Sequence, residues 1–212
     1  MGGNHSQRGG ARRDRTGKSV SAAAGGQPFA ELSPDAVLDA AESVGIDCDG
    51  RLFALNSYEN RVYQIGLAER GYVVFKFYRP ARWSDAQILE EHAFAAELEE
   101  HEVPLAAPWP LSVDARSLHA ERLTSLGTTL ASFATDAGAY RFAVTERKAG
   151  RAPEVENPEV LEWIGRFIGR IHAVGAAGRF AHRLTLSPAS LGHEPRGWLL
   201  AHDIVPPDAL PA

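Results

Sequence analysis

The spacing of apolar positions changes period several times along the chain, and each change marks an element. Val37, Leu38, Ala41 and Val44 recur at helical spacing behind Ser33 and Pro34, and Gly45 stops the run. A capping serine, a proline at the first helical position and a terminal glycine together predict a short helix. Two-residue alternation then predicts strands near 51–56, 61–66 and 72–78. In the third strand Tyr72, Val74, Lys76 and Tyr78 fall on one face and Val73, Phe75 and Phe77 on the other. Arg79-Pro80 ends it, because proline has no N–H for the ladder. Ser84 and Gln87 have the spacing of a capping box, so a helix is predicted over 84–101. Pro104, Pro108 and Pro110 break the next stretch, ahead of shorter predicted strands near 116–122 and 139–146. Between them the Ala/Thr/Ser/Gly-rich segment 123–138 reads as an insertion. Asn157 and Pro158 open a last long helix over 158–173, with Val160, Ile164, Phe167, Ile168 and Ile171 as its stripe and Gly165 and Gly169 thinning the other side for close packing.

Lys76 is the position that asks for chemistry. A charged side chain in the middle of an apolar strand is costly unless an anion meets it. Two anions are available: a glutamate of the following helix and the phosphates of a nucleotide. Glu91 shares the inward phase of Ala95 and Leu98, whereas Glu90 lies about 100° around the helix. Glu90, Glu91, Glu97, Glu99, Glu100 and Glu102 crowd this region, so a surface ion pair on a solvated acidic helix is the plainer alternative. Strand, polar turn, strand, lysine-bearing strand and glutamate-bearing helix is nevertheless the order of the ATP-gripping half of a kinase.

The residues that fill this order are similar to a known family. Asn56-Ser-Tyr-Glu-Asn-Arg-Val-Tyr63, Lys76-Phe-Tyr-Arg-Pro80 and Gln87-Ile-Leu-Glu-Glu-His92 resemble the bacterial stress response kinase A family. These are Ser/Thr protein kinases on the aminoglycoside-phosphotransferase and choline-kinase-like fold. Tyr140-Arg-Phe-Ala-Val144 and Gly165-Arg-Phe-Ile-Gly-Arg-Ile-His172 fit that family's hinge-approaching strand and first large-lobe helix. The resemblance runs from about Phe29 to Ala212 and is densest in the first half. It implies an α+β, protein-kinase-like fold: a complete small lobe over 27–146, made of an antiparallel sheet plus one main helix, then a hinge and the first helices of the large lobe over 147–212. It also implies that Ser57 contacts ATP, that Lys76 holds the phosphates and that Glu91 pairs with Lys76. The loop lacks multiple glycines, so the backbone amides of Tyr58 to Asn60 would form the anion-binding nest. Val144 to Arg147 are candidates for reading the adenine edge. ATP as co-substrate, Mg²⁺, a protein substrate bearing Ser or Thr, and a monomer in the cytoplasm complete the expectation.

One departure from the family is large. Phosphoryl transfer needs an aspartate to orient the attacking hydroxyl, and an Asn and an Asp to hold Mg²⁺. The family supplies them from a His-Gly-Asp-x-His-x-x-Asn loop and a later Asp-x-Asp turn. No asparagine follows Asn157, and the only aspartates after Glu162 are Asp203 and Asp208. His202-Asp203 has no Asn five residues on and runs into Ile-Val-Pro-Pro, which is helix-end and turn chemistry. The expectation is an incomplete form that holds the nucleotide side only, without catalytic residues or metal ligands, and with the apolar stripe of the 158–173 helix poorly covered. A small-molecule kinase acting on a sugar, aminoglycoside or choline hydroxyl would use the same ATP grip, and a non-catalytic nucleotide-binding module is the third reading.

Composition sets the remaining bounds. Of the 212 residues, 44% are apolar, enough for a core. The net charge of −5 is uneven: residues 1–26 hold five Lys/Arg against one Asp with seven glycines, which predicts a disordered basic tail. The rest carries 17 basic against 26 acidic side chains, which argues against a nucleic-acid-binding body. The tail has no apolar run of signal-peptide kind, and no stretch approaches a membrane span. The single cysteine, Cys48, excludes an internal disulfide. Thr16-Gly-Lys-Ser19 mimics the end of a P-loop, but Arg12 stands where its first glycine belongs. The eight histidines show no metal-ligand spacing, and His172 reads as a partner of its helix dipole or a core residue.

Overall fold

A computed structural model describes residues 28–136, 138–206 and 209, so the basic tail lies outside the described residues. Helix α1 (Pro34–Ser43) leads into strands β1 (Cys48–Leu55), β2 (Arg61–Leu67) and β3 (Tyr72–Phe77), then helix α2 (Asp85–Glu100). A single 3₁₀ turn at Ala120–Arg122 precedes β4 (Leu123–Ser125), β5 (Ala131–Thr135) and β6 (Gly138–Glu146). Helix α3 (Pro158–Gly175), one π turn at Ala189–His193 and helix α4 (Glu194–Ala201) follow. The strands form one antiparallel sheet in the order β1-β2-β3-β6-β5-β4.

The helix starts are built as the sequence predicts. Ser33 Oγ accepts from the Ala36 N–H, and Gly45 takes the left-handed conformation just past the end of α1, at φ 77°. Ser84 and Gln87 exchange both bonds of the capping box. Asn157 accepts from the Glu159 N–H, with Pro158 first in α3.

Sheet alternation sorts the side chains into two layers. On one face Ile65, Val73, Phe75, Phe77, Phe133, Phe142 and Val144 pack under Val37, Ala40 and Ala41 of α1. The rings of Phe75 and Phe77 both lie 5.5 Å from that of Phe142, and all three are sealed from solvent. Each such ring contributes about 2–3 kcal/mol of burial. The opposite face meets α2 through Ile88, which packs with Tyr78, Leu130 and Ala143. Lys76 lies on this second face, because its neighbours Phe75 and Phe77 are committed to the first.

Three expectations are overturned. Residues 116–119 form a turn and 120–122 the 3₁₀ turn, so the strand expected near 116–122 is absent. The stretch 123–138 is no insertion: β4 and β5 lie inside it, β5 pairs onto β6 and β4 onto β5, with Ala131 and Phe133 in the core. Its small polar residues conceal the strands, since pairing rather than propensity stabilises them. Gly165 and Gly169 face open space rather than a close partner, as nothing lies within 4 Å of an added Cβ. No residue of α3 is buried, and Leu161, Trp163 and Ile168 stand open to solvent. His172 is exposed in its last turn, which suits the dipole role and not a core one.

His92 is the buried polar residue of α2. Its Nε2 lies 2.7 Å from the Tyr78 hydroxyl and its Nδ1 2.7 Å from Thr129 Oγ1. Burial pushes its pKa down to about 4, with Lys76 adding to the effect and Glu91 opposing it. A histidine held neutral in the fold contributes stability that is complete above its unfolded pKa near 6.5 and is lost as pH falls toward 4. Denaturant unfolding at pH 7 and pH 4 is therefore expected to show the wild type losing about 3 kcal/mol more than His92→Gln, which keeps both hydrogen-bonding groups without titrating. Equal losses in the two proteins would show that His92 is not the titrating group.

Candidate functional site

Lys76 sits between two ladder partners, opposite Val62 of β2 and Ala143 of β6. Its backbone is therefore fixed on both sides, and only the side chain can choose a direction. The ammonium lies 3.2 Å from Glu91 Oε1 and 4.7 Å from the centre of the Tyr78 ring. Both members of the pair keep substantial exposure, 31% for the Lys76 side chain and 41% for Glu91, so the pair is open to a further ligand. Glu90 is turned elsewhere: its carboxylate accepts from the backbone N–H groups of Ala181, His182 and Arg183. Desolvation pushes the Glu90 pKa up, but those three hydrogen bonds outweigh it and hold the group below the ordinary carboxylate range.

Cross-strand register builds a wall beside the pair. Leu55, Val62, Lys76 and Ala143 stand in one row across β1, β2, β3 and β6, and Phe53, Gln64, Val74 and Thr145 form the next. Phe53 is 49% and Leu55 39% exposed, an apolar surface that neither helix covers. Of the wall's residues, Lys76 and Val74 share a face by one strand's alternation; the rest of the wall depends on register between strands.

The β1–β2 turn lies at one end of this wall. Ser57 Oγ donates to the Asn60 carbonyl, 2.8 Å, and the side-chain oxygen of Asn60 accepts from the Arg79 N–H, 3.2 Å. Glu59 accepts from the Trp83 indole at 2.9 Å and from Arg82 at 3.2 Å. The turn is thus tied to the β3–α2 connection at two points, while Tyr58 projects fully into solvent.

The candidates for the adenine edge lie at the far end of β6 and just beyond it. The Val144 side chain is sealed in the core on the opposite face, and its carbonyl accepts from the Trp109 N–H, 2.8 Å. Strand alternation turns it inward with Phe142. Arg147 is exposed just past β6, and its Nε donates to Gln64 Oε1 at 3.2 Å. Sequence reasoning also missed Arg183, whose guanidinium reaches Glu91 Oε2 at 3.0 Å and lies 4.3 Å from the centre of the Trp83 ring. No local signal marks it: it is one arginine in a loop, 92 residues from its partner. Burial, reinforced by Glu42, Asp49 and Asp47, pushes the Cys48 thiol up to about 11, so it offers no thiolate.

The antiparallel sheet with one capped helix crossing it, and a strand lysine paired with a helix glutamate, define the small lobe of a kinase-like phosphotransferase fold. The model of the phosphotransferase enzyme family matches residues 52–204, and the chain belongs to that family. It is 41% identical to the stress response kinase A of Shigella flexneri over 168 residues, 79% of this chain and 46% of that protein. It is 40% identical to the stress response kinase A of Escherichia coli strain K12, and 39% to a protein of Salmonella typhimurium named serine/threonine protein kinase RdoA, over the same shares. The chain spans about half the length of these relatives, 46%. Among solved structures, an amicoumacin kinase in complex with AMP-PNP, Ca²⁺ and Ami superposes with a TM-score of 0.56 at 20% identity, covering 82% of this chain and 48% of that one.

The pair's exposure has a consequence for stability. Lys76→Met is expected to change the unfolding free energy by less than about 1 kcal/mol, as for other solvent-screened ion pairs. Urea denaturation checks this, and a loss of several kcal/mol would mean that Lys76 serves the fold and not a ligand.

Proposed function

We propose that this chain forms the ATP-binding side of a serine/threonine protein kinase of the bacterial stress-response type. The observation that carries the reading is the Lys76–Glu91 pair, half-exposed at the foot of an uncovered apolar wall. The wall of Leu55, Val62, Val74 and Phe53 suits a flat base, and the adjoining lysine suits its phosphates. In this reading Glu91 aims the ammonium, Lys76 holds the phosphate oxygens, and Ser57 with the amides of Tyr58 to Asn60 closes over them. The adenine edge falls to the backbone of Val144 to Arg147. Residues 27–146 then act as the small lobe and 147–212 as the hinge and part of the large lobe. Mg²⁺ would bridge the phosphates, and its ligands and the hydroxyl-orienting aspartate would come from a further part of the protein, as the relatives' greater length allows.

The choice of a protein substrate rests on the relatives' names at 39–41% identity, against 20% for the amicoumacin kinase. No helix among the described residues is long and apolar enough to cross a membrane.

The order of mutational effects tests the assignment. In the complete protein, with labelled ATP and a Ser/Thr substrate, Lys76→Ala is expected to abolish transfer. Lys76→Arg does not rescue it, because a planar guanidinium cannot replace a compact ammonium between phosphate and carboxylate. Glu91→Gln ranks second. Ser57→Ala is mildest, weakening ATP binding by about 0.5–1.5 kcal/mol for one neutral hydrogen bond. Wild-type transfer by Lys76→Ala, with unchanged circular dichroism, would refute the kinase reading.

A further inference from the structure

We propose that Arg183 is a positioning residue for the nucleotide grip, fixing Glu91 against Lys76 and Trp83 against the β1–β2 turn from a segment beyond α3. The inference rests on the nucleotide-site reading above. Glu91 is held from two sides, by the Lys76 ammonium on Oε1 at 3.2 Å and by Arg183 Nη1 on Oε2 at 3.0 Å. A carboxylate with one charged partner can rotate about its terminal bond, whereas one with a different cation on each oxygen is fixed in plane. The same guanidinium lies over the Trp83 ring at 4.3 Å, and the Trp83 indole N–H reaches Glu59 in the β1–β2 turn at 2.9 Å. Arg183 therefore touches both arms of the grip, the helix glutamate directly and the phosphate turn through one tryptophan.

Arg183 is itself fixed by α2. Its backbone N–H, with those of Ala181 and His182, donates to Glu90, and Gln87 Nε2 donates to the His182 carbonyl at 2.9 Å. Helix α2 thus holds the segment through Glu90 and Gln87, and the segment holds the helix's ligand-facing glutamate through Arg183. Adjacent carboxylates on one helix take opposite sides of this exchange, which neither a solvated acidic face nor a simple Lys–Glu pair would require.

The test is a double-mutant cycle in the complete protein, read as the affinity for a fluorescent ATP analogue, with thermal unfolding measured in parallel. Arg183→Met is expected to weaken the analogue about five- to tenfold, the size of one partly screened charge-assisted contact. Arg183→Lys recovers less than about twofold of this, since it keeps the charge but neither the fork nor the flat face over Trp83. In a Glu91→Gln background, Arg183→Met costs a smaller factor than in the wild type, because the share of its effect that acts through that carboxylate is gone and only the share through Trp83 remains. Unchanged affinity in a folded Arg183→Met protein, or losses that multiply independently of Glu91, would overturn the proposal. A lowered melting temperature with wild-type affinity would show Arg183 to be structural only. If the wild-type protein fails to bind the analogue at all, the nucleotide reading itself fails, and the positioning role falls with it.

Discussion

The constraint on which the site depends is the aromatic packing behind β3. Phe75 and Phe77 are locked with Phe142 against α1, and strands pair on both sides of β3. A one-residue slip would drive Lys76 into that apolar layer and expose two phenylalanines, so register is strongly specified. The lysine's position is thus a consequence of hydrophobic burial one residue to either side. The weak, exposed ion pair that it makes with Glu91 does not hold the sheet together, and this leaves its energy free to be redirected toward a ligand.

Helix α2 applies the same logic with a different period. Its start is fixed by the capping box and by Arg141, which reaches from β6 to Asp85 at 2.8 Å and to the Trp83 carbonyl. Ile88, sealed against Ala143 and Leu130, then sets its rotation. Once that rotation is set, the roughly 100° between consecutive residues sends Glu91 toward Lys76 and Glu90 toward the segment after α3. The crowd of glutamates in the sequence conceals this division, because helical phase alone ranks them and only packing decides what each one meets.

How much of this was legible follows the distance over which each feature is specified. Strands β1 to β3, the capping box of α2 and the preference for Glu91 were readable because alternation, capping residues and helical phase are local. Strands β4 and β5 were not: Leu123–Ser125 and Ala131–Thr135 are short and rich in small residues, and their stability comes from pairing, β5 with β6 and β4 with β5. The inward burial of the Val144 side chain follows the same local rule, alternation with Tyr140 and Phe142. Arg183 depends on a contact across most of the chain, and no period or cap encodes such a contact.

The two parts of the described chain differ in how they are anchored. Buried residues lie in the sheet, α1, α2 and the loops beside them, whereas α3 and α4 contain none. Helix α3 is attached through Arg170 on the carbonyls of His101 and Glu102, and through Phe94 of α2, which meets Gly175 and Phe180. Polar and edge contacts of this kind open at lower free energy than a sealed core. Arg183 belongs to this loosely anchored part, while Lys76 belongs to the rigid one, and Glu91 stands between them. The geometry of the Lys76–Glu91 pair is therefore set jointly by the sealed sheet and by a segment held to α2 through polar contacts. Any ligand or partner that orders the residues after α3 would tighten the pair without touching Lys76, and the reciprocal must hold for a ligand that draws Lys76 and Glu91 together.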